Sequence, residues 1–203
     1  MKIDALNHVL ESGIESLKNM INKIKSSEEL DTKLLKKENT ALVIVDMVNG
    51  FVKKGNLMSS RINDIIPSVL KTTNICYERG FKILAFNDEH TVDSIEFNEY
   101  PIHCLKGAWE SELIDELKEF ENIKIIGKNS TNGFMEEAFK SWMSLNEYTN
   151  NFIVVGNCTD ICVMQFVMTL KSYFNKKNED VNIFIPIDSV ETFDSKEHNG
   201  DLM

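Results

Sequence analysis

The sequence predicts a doubly wound α/β fold: a mainly parallel sheet of five or six strands with helices on both faces, preceded by an N-terminal helical extension. Three observations carry this reading. From Thr40 onward, short apolar runs of strand length alternate with longer amphipathic stretches of helix length. Strand–helix–strand steps of this kind join parallel neighbours by right-handed crossovers. Four of the apolar runs are followed at once by polar or reactive side chains. Asp46 closes Ala41-Leu42-Val43-Ile44-Val45, and Asp88 and His90 follow Phe81-Lys82-Ile83-Leu84-Ala85-Phe86. Lys128 follows Ile123-Lys124-Ile125-Ile126-Gly127, and Cys158 and Cys162 follow Phe152-Ile153-Val154-Val155-Gly156. The carboxyl ends of parallel strands form the ligand crevice of such sheets. A thiol, an ammonium, carboxylates and an imidazole should therefore gather at one edge.

Taken in order, residues 5–25 read as an amphipathic helix, because Leu10, Ile14, Leu17, Ile21 and Ile24 recur at three- and four-residue steps. Ser26-Ser27-Glu28-Glu29 interrupts it. Its apolar stripe has to cover something, either the flank of its own domain, which is the first expectation, or a partner subunit. Residues 1–38 are expected to form this extension and residues 39–203 one α/β domain. Strand 40–46 precedes helix 61–79, with Gly80 as its C-cap. Strand 81–87, helix 109–119, strand 123–127, helix 134–145, strand 152–156, helix 160–174 and strand 181–186 complete the alternation. The loop 88–108 is long for a compact domain, and such loops are usually functional. It carries Asp88, His90, Glu96, His103 and Cys104.

A chain of 203 residues with 42% hydrophobic content suits one domain with a sizeable core. The net charge of −10 argues against nucleic acid and against anionic membranes as partners. No apolar run reaches the roughly 18 residues of a membrane span. Met1-Lys2-Ile3-Asp4 leads into charged residues rather than a signal-peptide core, so a cytoplasmic location is expected. Four cysteines in such a chain suggest free thiols. Cys158-x3-Cys162 is not a C-x-x-C pair, and Cys76, in a helical stretch, reads as a buried core thiol.

Val45-Asp46-Met47-Val48-Asn49-Gly50-Phe51, the lone Lys128, and Gly156-Asn157-Cys158-Thr159-Asp160-Ile161-Cys162-Val163 together resemble the three signatures of the isochorismatase-like cysteine hydrolases. Asn87-Asp88-Glu89-His90, followed by Tyr100-Pro101-Ile102-His103-Cys104, is similar more narrowly to the nicotinamidases. The resemblance runs from Thr40 to His198. Its specificity lies in the order of the motifs and their strand-end placement. His198-Asn199-Gly200-Asp201-Leu202-Met203 falls where the family adds one more strand or helix, so a further C-terminal piece is expected.

By this resemblance Cys162, the second residue after Thr159-Asp160, is the nucleophile. At the predicted start of helix 160–174 exposed N–H groups should lower its pKa, and Lys128 would add positive charge. Asp46 could take the thiol proton and return it to a leaving amine. The resemblance also implies a cis peptide before Cys158 and an oxyanion hole built from the N–H groups of Cys158 and Cys162. A lone cysteine at a strand–helix junction is more often a packed small hydrophobe; Asp46 and Lys128 at neighbouring strand ends favour catalysis.

Asp88, His90 and His103 suit one divalent metal ion, and Glu96, seven residues before His103, matches a fourth ligand position of the family. Mixed N/O ligation fits Zn, Fe or Mn alike. The resemblance implies that the ion holds the ring nitrogen of the substrate and that Phe51 and Tyr100 sandwich the ring. Tyr100 stands where the family commonly has Trp, and Phe51 could equally be core packing. The implied function is a metal-assisted cysteine amidase converting nicotinamide, or a similar small aromatic amide, to the acid and ammonia through a thioester, within NAD salvage. Two alternatives stay open: a metal-free amidase acting on a carbamoyl or ureido compound, and a non-catalytic binding subunit. Homo-oligomerisation is left open as well.

Overall fold

A computed structural model describes residues 3–202. The chain divides into two units, Met1–Thr32 and Lys33–Met203. The first unit is built on one helix, α1 (Ile3–Lys25). Leu10, Ile14, Leu17, Ile21 and Ile24 lie along one side of it, as the three- and four-residue spacing requires.

The second unit runs β1 (Thr40–Val45), α2 (Asn49–Val52), α3 (Ser60–Asp64), α4 (Ile66–Glu78), β2 (Lys82–Asp88), α5 (Asp115–Lys118), β3 (Ile123–Lys128), α6 (Glu137–Leu145), β4 (Asn151–Asn157), α7 (Met164–Lys177), β5 (Asn182–Phe184) and β6 (Val190–Glu191). The strands form one six-stranded sheet ordered β3-β2-β1-β4-β5, with β6 also on β4. Every pairing is parallel. β1 and β4 are buried along their whole length, which is why their sequences are continuous apolar runs rather than alternating ones. Behind β1, β2 and β4 a cluster of rings closes the core, with Phe86 5.3 Å from Phe139 and 5.2 Å from Phe166. None of the described helices is long and apolar enough to cross a membrane.

The register sets the site. Val45 pairs with both Phe86 and Gly156, and Asp88 pairs with Lys128. The carboxyl ends of β1 to β4 are thus level. The chain steps outward from β1 to β2 and β3, then returns to the other side of β1 as β4. The reversal of strand order between β1 and β4 is where such sheets open a crevice.

Several elements differ from expectation for local reasons. The helix expected over 61–79 breaks at Ile65, because Pro67 has no N–H to continue the ladder. Gly80 does cap α4, with φ +68°. The helix expected over 109–119 is a 3₁₀ turn, Trp109–Ser111, and the short α5. Between them the chain is extended: Leu113 bridges Val48, and Ile114 donates to Met47 O at 3.0 Å. Pairing with the segment beyond β1 outweighs helix propensity there. α6 is preceded by a 3₁₀ turn, Gly133–Met135. The helix expected over 160–174 opens with a π turn, Thr159–Val163. The strand expected over 181–186 ends at Phe184, before Pro186, and β6 and α2 are elements the sequence pattern did not show.

Candidate active site

Asp46 is the first residue beyond β1 and is wholly buried, at φ +52°. The left-handed region is uncommon for a side-chain-bearing residue, and in a core it calls for support from both sides. That support is present: Asp46 N–H donates to Phe86 O at 2.9 Å, and Asn157 Nδ2 donates to Asp46 O at 2.6 Å. Beside it Gly156, at φ +113°, passes so close to the Val45 carbonyl that a Cβ would collide with it.

Lys128 ends β3 with its side chain 1% exposed. Its Nζ lies 2.6 Å from Asp88 Oδ1, 2.9 Å from Asp46 Oδ2 and 3.8 Å from Cys162 Sγ. Burial pulls the ammonium toward neutrality, but the Asp46 and Asp88 carboxylates outweigh it and hold Lys128 charged. Burial also raises Asp88, yet Lys128, His103 and His90 bring it below the usual carboxylate range.

Cys162 sits inside the π turn, not in the first turn of an α-helix. Val163 N–H reaches back to Cys158 O at 3.1 Å, and the Asn157–Cys158 peptide is cis, as the family resemblance implied. The expected drop in thiol pKa is reversed. Burial pushes the Cys162 thiol well above its ordinary value, and Asp46 and Asp88 add to this against the single charge of Lys128. Asp46 is likewise raised, mainly by burial, to about 6. The proton therefore rests on sulfur, next to a carboxylate whose basicity suits neutral pH.

Asp88 Oδ2 lies 2.9 Å from His90 Nε2 and 3.0 Å from His103 Nε2. The three donor atoms fall within 4.8 Å of one another, and all three residues are buried. The other ring nitrogens are already committed. His90 Nδ1 faces Asn129 Oδ1 at 3.2 Å, and His103 Nδ1 faces Pro101 O at 2.7 Å. Asn129 Oδ1 also accepts from Thr91 N–H, which fixes the orientation of that amide. Each Nδ1 thus faces an acceptor, and each Nε2 turns toward the same carboxylate oxygen. Two imidazole nitrogens and a carboxylate oxygen this close together suit a divalent metal, with each histidine ring held in place through its Nδ1. Glu96 Oε1 stands 3.9 Å from His90 Nε2, outside the three-donor group.

Residues 40–203 match the Isochorismatase domain. The chain belongs to the isochorismatase family. Over 165 residues it is 34% identical to Nicotinamidase 1 of Arabidopsis thaliana, covering 73% of this chain and 66% of that one. The match thus spans just under two thirds of that relative. Among solved structures it is similar to a pyrazinamidase of Pyrococcus horikoshii in complex with zinc, at 25% identity and TM-score 0.66 over 78% of this chain and 89% of that one. It is also similar to N-carbamoylsarcosine amidase from Thermoplasma acidophilum, at 26% identity and TM-score 0.65 over 75% and 83%.

Above the strand ends this family member has a cavity of about 550 Å³. Cys158, Cys162, Asp88, Glu96, Phe51 and Tyr100 are on its wall. The Phe51 and Tyr100 rings lie 5.7 Å and 6.3 Å from the His103 ring. Asp46, Lys128 and His90 are buried and do not line it. Every site residue expected from the sequence is thus at one edge, with Glu96 the most loosely placed.

One group was missed. Asp160, inside a recognised motif, faces His198 Nε2 at 2.7 Å and accepts from Thr192 Oγ1 at 2.6 Å. Pairing with Asp160 raises His198, and His198 in turn holds Asp160 down against its burial. No local pattern links residues separated by more than thirty positions; β6 docking on β4 makes the contact.

Proposed function

We propose that the chain is a metal-assisted cysteine amidase that hydrolyses nicotinamide, or a similar small aromatic amide, to the acid and ammonia. The observation that carries this reading is the position of Lys128 Nζ, 3.8 Å from Cys162 Sγ, 2.9 Å from Asp46 and 2.6 Å from Asp88. It joins the thiol, the base and the His/Asp cluster in one set of contacts. The similarity to a nicotinamidase and a pyrazinamidase supports the substrate class.

In this reading Asp46 accepts the thiol proton as Cys162 Sγ attacks the carboxamide carbon. Lys128 offsets the negative charge shared between them. The N–H groups of Cys158 and Cys162 receive the charge that develops on the carbonyl oxygen. The C–N bond then breaks, and Asp46 hands its proton to the departing ammonia. Water, deprotonated by Asp46, adds to the thioester; the acid leaves and the thiol is restored. Phe51 and Tyr100 flank the substrate ring. Asp88, His90 and His103 would hold a divalent cation, with Glu96 beside them, and when bound it supplies a Lewis-acidic anchor for a ring nitrogen.

The decisive assay is ammonia release from a panel of aromatic amides and ureido compounds by protein purified without chelator. Release from nicotinamide that disappears in Cys162→Ala is the expected result. Turnover of ureido compounds alone, by metal-free protein, would overturn the reading.

A further inference from the structure

We propose that segment 192–201 is the specificity wall of the cavity, and that Asp160, His198 and Arg61 are the residues that position it; the proposal rests on the amidase reading above. Phe193, Asp194 and Ser195 line the same cavity as Cys158 and Cys162. The segment lies beyond β6, outside the alternating strand–helix frame, and two side chains each grip both of its ends.

Arg61, on α3, holds Glu191 through Nη2 at 3.0 and 3.1 Å and Asp201 through Nη1 at 2.8 Å. Asp160 holds Thr192 through Oδ1 at 2.6 Å and His198 through Oδ2 at 2.7 Å. One cation and one anion thus fasten the same loop at its start and its finish. His198 passes the constraint to the cavity. Its ring stacks on Phe193 at 4.0 Å and 12°, and its Nδ1 lies 3.0 Å from Phe193 O. Both ring nitrogens face acceptors, so the imidazolium is the form that donates to both. Inside the loop Ser195 N–H donates to His198 O at 2.8 Å and Gly200 N–H to Asp194 Oδ1 at 3.0 Å. A Cβ at Gly200 would come within 2.8 Å of Phe193 O and 2.9 Å of Arg61 Nε, so this crossing admits only glycine.

The anchor point explains why the loop should govern specificity. Asp160 belongs to the π turn that carries Cys162. The Phe193 ring is therefore indexed to the nucleophile rather than to the distant core. Loosening the clamp moves a wall that every bound amide meets, while Asp46, Lys128 and Cys162 keep their own contacts. The cost falls on binding and on discrimination by size, not on the chemical step.

The test compares nicotinamide with its phenyl-substituted derivative in wild type, His198→Gln and Phe193→Leu. His198→Gln should raise KM for nicotinamide about tenfold, leave kcat within about threefold, and cut the preference for the smaller amide about tenfold. Phe193→Leu, a milder change, should shift the preference in the same direction. Wild-type KM should also rise as pH climbs through the raised pKa of His198, and the His198→Gln profile should lack that rise. The charged groups around His198 are Asp160 and Asp194, with Glu191, Arg61 and Asp201 completing the second clamp. Unchanged selectivity in both variants, or a loss confined to kcat, overturns the proposal. Hydrogen exchange over residues 192–201, measured without substrate, separates the clamp from the amidase reading. It should quicken in His198→Gln even if no amide were turned over, and unchanged exchange overturns the clamp by itself.

Discussion

The floor and the walls of the cavity are held in different ways. The floor is made of residues at level strand ends: Asp46 after β1, Asp88 on β2, Lys128 on β3 and Cys162 just beyond β4. Their spacing follows from sheet register, and their charges are compensated below the surface, out of reach of solvent. The walls come from loop 88–108 and segment 192–201, whose positions depend on side-chain contacts such as His198 with Asp160 at 2.7 Å. A register cannot drift by less than a residue, whereas a side-chain clamp can loosen by fractions of an ångström. On the proposed amidase reading, chemistry falls to the rigid part and recognition to the adjustable one.

The largest expected effects are therefore in the floor. Cys162→Ala should abolish turnover, while Cys158→Ala, which asks only for the backbone at that position, should keep activity within about tenfold of wild type. Equal losses would assign the nucleophile wrongly. Lys128→Met should remove turnover as well and lower stability by about 3–5 kcal/mol, because Asp46 and Asp88 are left buried without their shared cation. A thermal or denaturant melt that matches wild type would show that the floor is not held by charge compensation.

The pH dependence sharpens the same contrast. In the proposed mechanism Asp46 is ionised when it takes the thiol proton, and burial raises its pKa to about 6. With substrate bound, kcat should thus fall as pH drops through about 6 and be flat just above it. Asp46→Asn should leave only a residual, pH-independent rate. A wild-type profile that stays level well below pH 6 would remove Asp46 as the base.

The difference between floor and walls also decides what the sequence could tell. Strand-end residues were legible because a buried parallel strand is a continuous apolar run, and its end is marked by the first polar residue; Asp46 and Lys128 are found that way. Gly80 was legible because α4 stops there. The walls were legible only in part. His90 and His103 announce themselves by chemistry, but the broken helix over 109–119 did not, since the pairing of Leu113 with Val48 joins residues far apart in the chain. The Cys162 pKa was misjudged for a similar reason. A helix start and a lysine can be read from sequence, but complete burial beside two carboxylates is a tertiary fact. The Asp160–His198 contact needs β6 to dock on β4, and a two-residue strand leaves no pattern to read.

The metal cluster lies between the two regions, since Asp88 belongs to the floor while His90 and His103 belong to the loop. Protein purified without chelator should carry up to one divalent ion per chain, and His90→Ala should lower that content and raise KM for nicotinamide more than it lowers kcat. Chelation that leaves KM untouched would detach the cluster from substrate binding.

Glu96 is the finest test of where the floor ends. Its carboxylate is raised by burial and by the charge of Asp88, and it sits 3.9 Å from His90 Nε2 rather than inside the three-donor group. A direct ligand removed from such a site should cost far more metal affinity than a group that only shapes its surroundings, for which about 10–100-fold is usual. Glu96→Gln should therefore weaken metal binding by about tenfold, at the low end of that range, while His103→Ala should go beyond it. The comparison is read by competition with a coloured chelator. Equal losses in the two variants would make Glu96 a full ligand and extend the rigid part of the site into the loop.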